Sequence, residues 1–506
     1  MTDLGSRTRA LGDKTLRGMA RGIEKEGLRC DAAGRLARTP HPTALGRALT
    51  HRHITTDFSE SQLELVTSVF TDVDDCLRQL TEIHQAVMHA LGDELMWGSS
   101  MPCELPALDA DIPIGQYGSS NIGRIKTIYR RGLSHRYGAR MQTISGLHYN
   151  WSLPGLVNED TFALIRNFRR HSFVLLVLFG ASPAVSPGFV SGAQPSQPAD
   201  APLHLPFATS RRMGPLGYQS DAQASLAVSY NDLDGYADSL QDALTRHYPA
   251  YEAIGLRDNN GAYQQLATTL LQIENEFYST IRPKRVIRPG ERPLHALRAR
   301  GVEYVEVRCM DLDPFASVGI TASTMRMLDV FLLHCLLSES PPDTPAEIAA
   351  LARNQHRVAT DGRDPALQLE RAGAMVDLRP WGAQVLDECA PIAAALDETL
   401  GGCDYAKALA AAQASWNDPA TLPSGRVLKA MDTDHGGSFQ AFALAQSARA
   451  KGELLARGYP AELGTHFETL AQASRDEQAR REAADCADFE AFREHYLSPE
   501  RLSAAG

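Results

Sequence analysis

The sequence lacks several features that would place it quickly, and each absence excludes something. Its eight cysteines (Cys30, Cys76, Cys103, Cys309, Cys335, Cys389, Cys403 and Cys486) form no Cys-x-x-Cys pair. A zinc knuckle and a thioredoxin-like motif are thereby excluded, and free thiols in a reducing compartment are expected. An excess of positive charge is also missing: 50 Lys and Arg face 61 Asp and Glu, a formal net charge of −11. That balance argues against a nucleic-acid backbone as the main partner. An anionic substrate stays compatible wherever metal ions or local arginines reverse the field. The longest apolar run, "FVLLVLFGA", is far too short to span a bilayer. The N-terminal stretch is basic without an apolar centre, unlike a secretory signal. A soluble, cytoplasmic protein with no membrane partner is therefore expected. Missing too are a His-Glu-x-x-His helix, a Walker A loop and a Gly-x-Gly-x-x-Gly fingerprint. Any nucleotide must then be held by a metal clamp and arginines.

What is present is an ordinary globular composition, 43% hydrophobic and 22% charged over 506 residues, enough for a large core. Residues 1 to 22 read as an amphipathic helix leading into a first strand. A second strand is expected around Leu63 and Leu65. Val73, Leu77, Leu80, Ile83, Val87 and Leu91 have helical spacing that stops at Gly92. Trp97 to Gly123 reads as a long loop, "RIKTIYRRGLSHRYGARM" as a basic helix, and "TISGLHYNWSLP" as a strand ended by Pro154. Residues 186 to 206, rich in Pro, Ser, Gly and Ala, read as a flexible insertion. "TLLQIENEFYSTIRP" and "GVEYVEVRCMDLDP" are further strands, and beyond about Ile320 the pattern turns helical and Ala-rich. Strands dispersed among helices indicate an α+β fold, with a catalytic region at 1–320 and a mostly helical region at 321–506, the two allowing one continuous domain.

Counting alternation along these strands gathers chemistry onto one side of each. Glu24 and Glu26 share a face in "RGIEKEGLR", and Glu64 lies opposite Leu63 and Leu65. His148 shares a face with Asn150, Glu274 and Glu276 with Tyr278, and Glu306 with Tyr304 and Arg308. Two carboxylates aimed to one side repel unless both meet water or a cation lies between them. Two readings remain at this level: a solvated sheet face, or a phosphoryl-transfer site holding more than one cation. The oxygen-rich donors suit Mg²⁺, and a single histidine leans toward Mn²⁺.

The blocks "RGIEKEGLR", "HITTDFSESQLELVT", "SMPCELP", "QYGSSNIGRIKTIYRRGL", "RYGARMQTISGLHYNWSLP", "LFGASPA", "IENEFYSTIRPKR" and "GVEYVEVRCMDLDPF" occur in this order between about Arg21 and Ile320. Together they resemble the proteobacterial type of glutamate–cysteine ligase. The C-terminal third is similar to that family in length and helical character only. The resemblance implies a glutamine-synthetase-like fold in which curved antiparallel strands form a funnel lined by acidic metal ligands. It implies ligation of L-glutamate to L-cysteine with ATP through an acyl phosphate, the first step of glutathione synthesis, with glutathione as a feedback inhibitor.

Carried over by the resemblance, Glu24, Glu26, Asp57, Glu64, His148 and Glu306 match metal ligands. Arg308, with Glu306, matches the catalytic pair at the transferring phosphoryl group. Tyr129, Arg130, Leu133, Gln142, Ile144, Arg212, Tyr218 and Tyr278 match the cysteine pocket, with Arg211 competing for the carboxylate-binding role of Arg212. Arg282, Lys284 and Arg285 would serve the nucleotide. Two alternatives stand beside this reading. One is a ligase of the same mechanism with another amine acceptor. The other is a catalytically silent relative, against which the joint retention of Glu24, Glu26, Glu64, His148, Glu306 and Arg308 argues.

Overall fold

A computed structural model describes residues 3–191, 203–217, 221–224, 226–288 and 290–503. The N-terminal helix expected over residues 1 to 22 is instead two short helices, Leu4–Ala10 and Asp13–Arg17. Gly12 separates them at φ 81°, a left-handed backbone that a helix cannot continue through. The chain then enters β1 (Ala20–Cys30), the longest strand and the centre of the molecule.

Six strands form one antiparallel path in the order β2 (Ile54–Thr56), β3 (Gln62–Val66), β1, β5 (Leu147–Ser152), β7 (Tyr304–Met310) and β6 (Ile281–Lys284), with β4 (Leu95–Met96) paired to the end of β1. The strands read from "QLELV", "GLHYNW" and "VEYVEVR" are all present. "LLQIENEFY" is not a strand. Glu274–Glu276 is a 3₁₀ turn, and the strand begins only at Ile281. Both glutamates are consumed by buried ion pairs: Arg292 on Glu274 at 2.7 Å, and Arg136 on Glu276 at 2.8 Å. The shared face expected for Glu274, Glu276 and Tyr278 does not exist.

The helix Val73–Ala90 ends two residues before Gly92, with Leu91 as its C-cap, and packs on the back of β1 and β3. Of the loop expected over Trp97 to Gly123, residues 97–120 are irregular apart from a 3₁₀ turn at Asp109–Asp111, and a helix begins at Asn121. The apolar run at 173–181 is the buried helix Phe173–Phe179. Of the insertion expected at 186–206, residues 192–202 lie outside the described residues; its flanks carry the short helix Pro187–Ser191 and a bridge between Ala184 and His204. The region after residue 320 is helical but also holds a hairpin, β8 (Gln368–Arg371) and β9 (Ala374–Asp377), turned by Ala372 and Gly373 at positive φ. One hydrophobic cluster runs from Leu4 to Leu502. Among the described residues no helix is long and apolar enough to cross a membrane. Six cysteines are buried, and Cys403 and Cys486 are exposed; all eight are free thiols.

Behind the sheet, a buried polar knot joins strand to helix. Arg21 of β1 meets Asp329 of the helix Ala322–Leu337 at 2.9 Å, and Asp329 also accepts from Tyr149 of β5 at 2.8 Å and from Tyr405 at 3.2 Å. Arg21 and Asp329 are 1% and 0% exposed, so neither charge can fall back on water. Removing one partner of such a pair costs about 3–5 kcal/mol. Asp329→Ala should lower the urea midpoint of unfolding by a corresponding amount, and Asp329→Asn, which keeps acceptor and shape, by clearly less. Equal midpoints for Asp329→Ala and the parent chain would show that the knot contributes nothing.

Candidate active site

The register of β1 sets the site. Glu24 faces His148 of β5 across the ladder, and Glu26 faces Glu64 of β3. On the other side of β5, Asn150 faces Glu306 of β7, which in turn faces Arg282 of β6. Cross-strand neighbours stand only about 4.5–5.5 Å apart, so the alternating pattern of five strands converges on one surface. That surface floors a cavity of about 600 Å³.

One half of the floor is acidic. Donor atoms of Glu24, Glu64 and His148 all lie within 4.8 Å of one another. Glu24 Oε2 is 3.2 Å from His148 Nδ1, and its Oε1 accepts from Asn150 at 2.9 Å. Glu26 stands alongside, 3.6 Å from His148 Nε2, and accepts from the Gly146 amide at 2.6 Å. Burial and the neighbouring Asp57 push the Glu26 carboxyl up to about 8. Burial and the charges of Glu24, Asp57 and Glu26 push Glu64 well above the usual carboxylate range. Crowded carboxylates of this kind, with an imidazole among them, are a donor set that a hard divalent cation relieves.

The other half is basic. Glu306, 1% exposed, is surrounded by Lys284 at 3.2 Å, Arg308 at 3.1 Å and Arg282 at 3.9 Å. Burial would raise its pKa, but these cations hold it well below the ordinary value. Arg308 also approaches His148 Nδ1 at 3.4 Å, so it touches both halves. Burial disfavours its charge, yet Glu306, Glu26 and Glu24 hold it firmly protonated.

The helix Asn121–Tyr137 closes one wall. Ile122, Ile125, Lys126, Tyr129, Arg130 and Leu133 share the helical face toward the cavity. Lys126 was not a sequence candidate, although its spacing of three and four residues from Tyr129 and Arg130 was the signal for it. Burial lowers its pKa to about 8, against the pull of Glu64 and Asp57. Asp57 sits on the rim, 4.0 Å from Arg130, whose Nε donates to the Asp57 carbonyl. Gln142 donates to the Tyr278 hydroxyl at 2.7 Å, and both line the cavity.

Four sequence candidates fall elsewhere. Ile144 is fully buried behind the floor, where its carbonyl accepts from Gln62. Arg285 has the opposite strand parity to Lys284 and binds the carbonyl groups of Arg300 and Gly301 outside the cavity. Arg211 is buried away from the cavity, whereas Arg212 lines it. Tyr218 lies outside the described residues. The mouth also receives Arg481 from the long helix Ala461–Ala484 and Tyr496 from the short helix Phe489–Leu497, a contribution with no sequence signal.

An open antiparallel sheet carrying a crowded acidic cluster beside buried arginines suits a cavity that holds a hard cation next to an anionic group such as a phosphate. Comparison with known proteins narrows this to a family. The sequence profile described as Glutamate-cysteine ligase matches residues 8–358. The chain is 44% identical to the glutamate–cysteine ligase of Alcanivorax borkumensis over 96% of both chains. It is 47% identical to that of Azotobacter vinelandii over 97% of this chain and 98% of the relative. The crystal structure of glutamate–cysteine ligase from Francisella tularensis in complex with AMP superposes with a TM-score of 0.89 at 33% identity, covering 95% of this chain and 97% of that one. The chain belongs to the glutamate–cysteine ligase family.

Gly146 provides a test of the floor. A Cβ there would lie 2.1 Å from the Arg212 guanidinium, which donates to the carbonyl of Arg308 at 2.7 Å and of Met310 at 3.2 Å. Gly146→Ala should therefore displace Arg212 and leave the β7 end short of these bonds. A crystal structure of the variant should show Arg212 in a new rotamer, with ligase activity falling at least tenfold. An unmoved Arg212 would mean that the backbone, not the side chain, yields.

Proposed function

We propose that this cavity joins the γ-carboxylate of L-glutamate to the amine of L-cysteine at the expense of ATP. A carboxylate oxygen attacks the γ-phosphorus and ADP departs, giving γ-glutamyl phosphate. The amine nitrogen then attacks the acyl carbon, the C–O bond to phosphate breaks and the nitrogen loses a proton. The products are γ-glutamylcysteine, ADP and phosphate, the first step of glutathione biosynthesis. The observation that carries this reading is the division of one cavity into an acidic half and a basic half bridged by Arg308. The names of the relatives and the AMP in the Francisella structure support it.

The donor set fits Mg²⁺, with Mn²⁺ as the alternative favoured by the imidazole. Glu24, Glu64 and His148 would hold such an ion, with Glu26, Asp57 and Glu306 completing the acidic lining. When bound, the cation offsets the negative charge of the ATP phosphates. Arg282 and Lys284 would accept the nucleotide phosphates, with Arg285 bracing their strand from outside. Arg308 would stabilise the phosphoryl group in transit, and Glu306 would orient it. Tyr129, Arg130, Leu133, Gln142, Arg212 and Tyr278 would enclose cysteine, with Ile144 supporting them from beneath. A cytoplasmic setting, inhibition by glutathione, and a catalytic unit at 1–320 braced by the helices of 321–506 belong to the same reading.

The direct test is ADP release by the purified chain with glutamate, ATP and Mg²⁺, cysteine being compared with a panel of amines. Cysteine and 2-aminobutyrate should both react, because a small weakly polar pocket separates thiol from methyl by only about 1–3 kcal/mol. Phenylalanine should not. Turnover of phenylalanine equal to that of cysteine would favour a ligase with another acceptor, and no release with any amine would favour a silent relative.

Arg308 gives a second test. A fixed guanidinium stabilises charge in transit better than a hydrated ammonium does. Arg308→Lys should lower kcat by roughly ten- to a thousand-fold, about 1.4–4 kcal/mol of barrier, with little change in KM for glutamate or cysteine. If kcat holds and KM for cysteine rises, Arg308 grips a substrate carboxylate instead.

A further inference from the structure

Outside the active-site cavity, two helices bring together a second set of metal-ligating side chains. His171 ends the helix Asn158–His171, and His334 and Cys335 lie on the helix Ala322–Leu337. One donor atom from each of the three falls within 4.8 Å of the other two. None of these residues lines the active-site cavity.

The surrounding hydrogen bonds leave this cluster with unused donor capacity. The Nδ1 atoms of both His171 and His334 are buried with no polar partner among the described residues. Such an atom normally finds a partner or a bound group. His334 presents its other nitrogen, Nε2, to Glu388 Oε2 at 2.9 Å. A carboxylate accepting from Nε2–H fixes the tautomer and turns the Nδ1 lone pair outward, which is the arrangement that prepares a histidine to bind a metal. Cys335 is fully buried, and its main chain is anchored by Asn167, which donates to the Cys335 carbonyl at 2.9 Å. The His171 and His334 rings are 5.4 Å apart between centroids, and Trp381 meets the His171 ring edge-on at 6.2 Å.

An entry path is also present. A separate cavity of about 700 Å³ is lined by His171, Trp381, Gln384 and Glu388. It reaches the cluster on the His171 side, while His334 and Cys335 lie deeper, off its lining.

We propose that His171, His334 and Cys335 form a binding site for a borderline-soft transition cation, zinc(II), distinct from the hard-cation site of the active cavity. Two imidazole nitrogens and a thiolate are a donor set that zinc accepts and Mg²⁺ does not. On binding, the Cys335 thiol gives up its proton to solvent. The thiolate neutralises one charge of the ion, and Glu388 offsets the other through His334. The joined helices include the one that carries Asp329, so an ion here would brace the helical layer behind the sheet.

The sulfur ligand makes the site separable from the active cavity, whose cluster holds only carboxylates and an imidazole. The full chain, with Mg²⁺ in excess, should be titrated with Co²⁺ as a spectroscopic stand-in. A sulfur-to-cobalt charge-transfer band saturating at one equivalent is expected, and zinc should abolish it. Cys335→Ser and His171→Asn should each lose the band, while Cys403→Ser with Cys486→Ser should keep it. No band in the parent chain, a band that survives Cys335→Ser, or a band lost with the two exposed thiols would overturn the proposal. Should the buried variants fail to fold, zinc-edge X-ray absorption of the parent chain decides without them. One sulfur near ~2.3 Å with nitrogens near ~2.0–2.1 Å supports the site, and oxygen and nitrogen neighbours alone refute it.

Discussion

The structure depends on keeping β1 in register, because this strand carries charge on both faces. Glu24 and Glu26 point into the cavity, while Arg21, Lys25 and Arg29 have the opposite parity. Each of the three cations is buried and has its own partner in the layers behind the sheet. Arg21 meets Asp329 at 2.9 Å, Lys25 meets His84 Nε2 at 2.9 Å, and Arg29 meets Glu94 at 2.7 Å. A slip of one residue would turn all five charges to the wrong side. Two carboxylates would enter an apolar helix layer, and three cations would enter the acidic half of the cavity. Lys25 shows how little slack exists: burial beside an imidazole lowers its pKa to about 7, with no carboxylate to restore it.

This arrangement explains why the site was legible in the sequence and its support was not. Carboxylates at i and i+2 announce a functional face because period-two alternation needs no tertiary information. Glu64, His148, Glu306 and Arg308 were found by the same count, and the strands delivered them to one cavity. The count failed at Glu274 and Glu276, where an identical pattern lies in a 3₁₀ turn and both groups are spent on Arg292 and Arg136. Alternation alone cannot tell a strand from a turn whose charges are paired by distant helices. Lys126 was missed for the opposite reason, since its signal has helical period and only the wall of the finished cavity gives it meaning. The partners of Arg21 and Arg29 lie 308 and 65 residues away, and no local pattern reports them.

Within the cavity, charge is separated over a few ångströms. Burial and mutual repulsion raise the pKa values of Glu26 and Glu64, while Glu306, one strand further, is held low by three cations. Arg308 lies where the two fields meet. In the proposed reaction a group moving from a polyphosphate toward a carboxylate would cross that boundary on a floor arranged before any substrate arrives. Preorganisation of this kind costs folding stability, since like charges are gathered and desolvated together. The buried pairs behind the sheet offset part of that cost.

The distance between Arg21 and Asp329 along the chain also has a consequence in time. Synthesis proceeds at about 5–20 residues per second, so the 308 residues between them take on the order of 15–60 s to emerge. Throughout that interval β1 exists with its back-face arginine uncompensated and its front-face glutamates crowded. The sheet cannot close stably around it, because β7 also arrives only near the end of the interval. Arg21 can find its back-face partner only once the helix Ala322–Leu337 is made. Arg481 and Tyr496 reach the mouth later still. A ribosome that stalls before residue 329 would leave exposed strand edges rather than a smaller working enzyme.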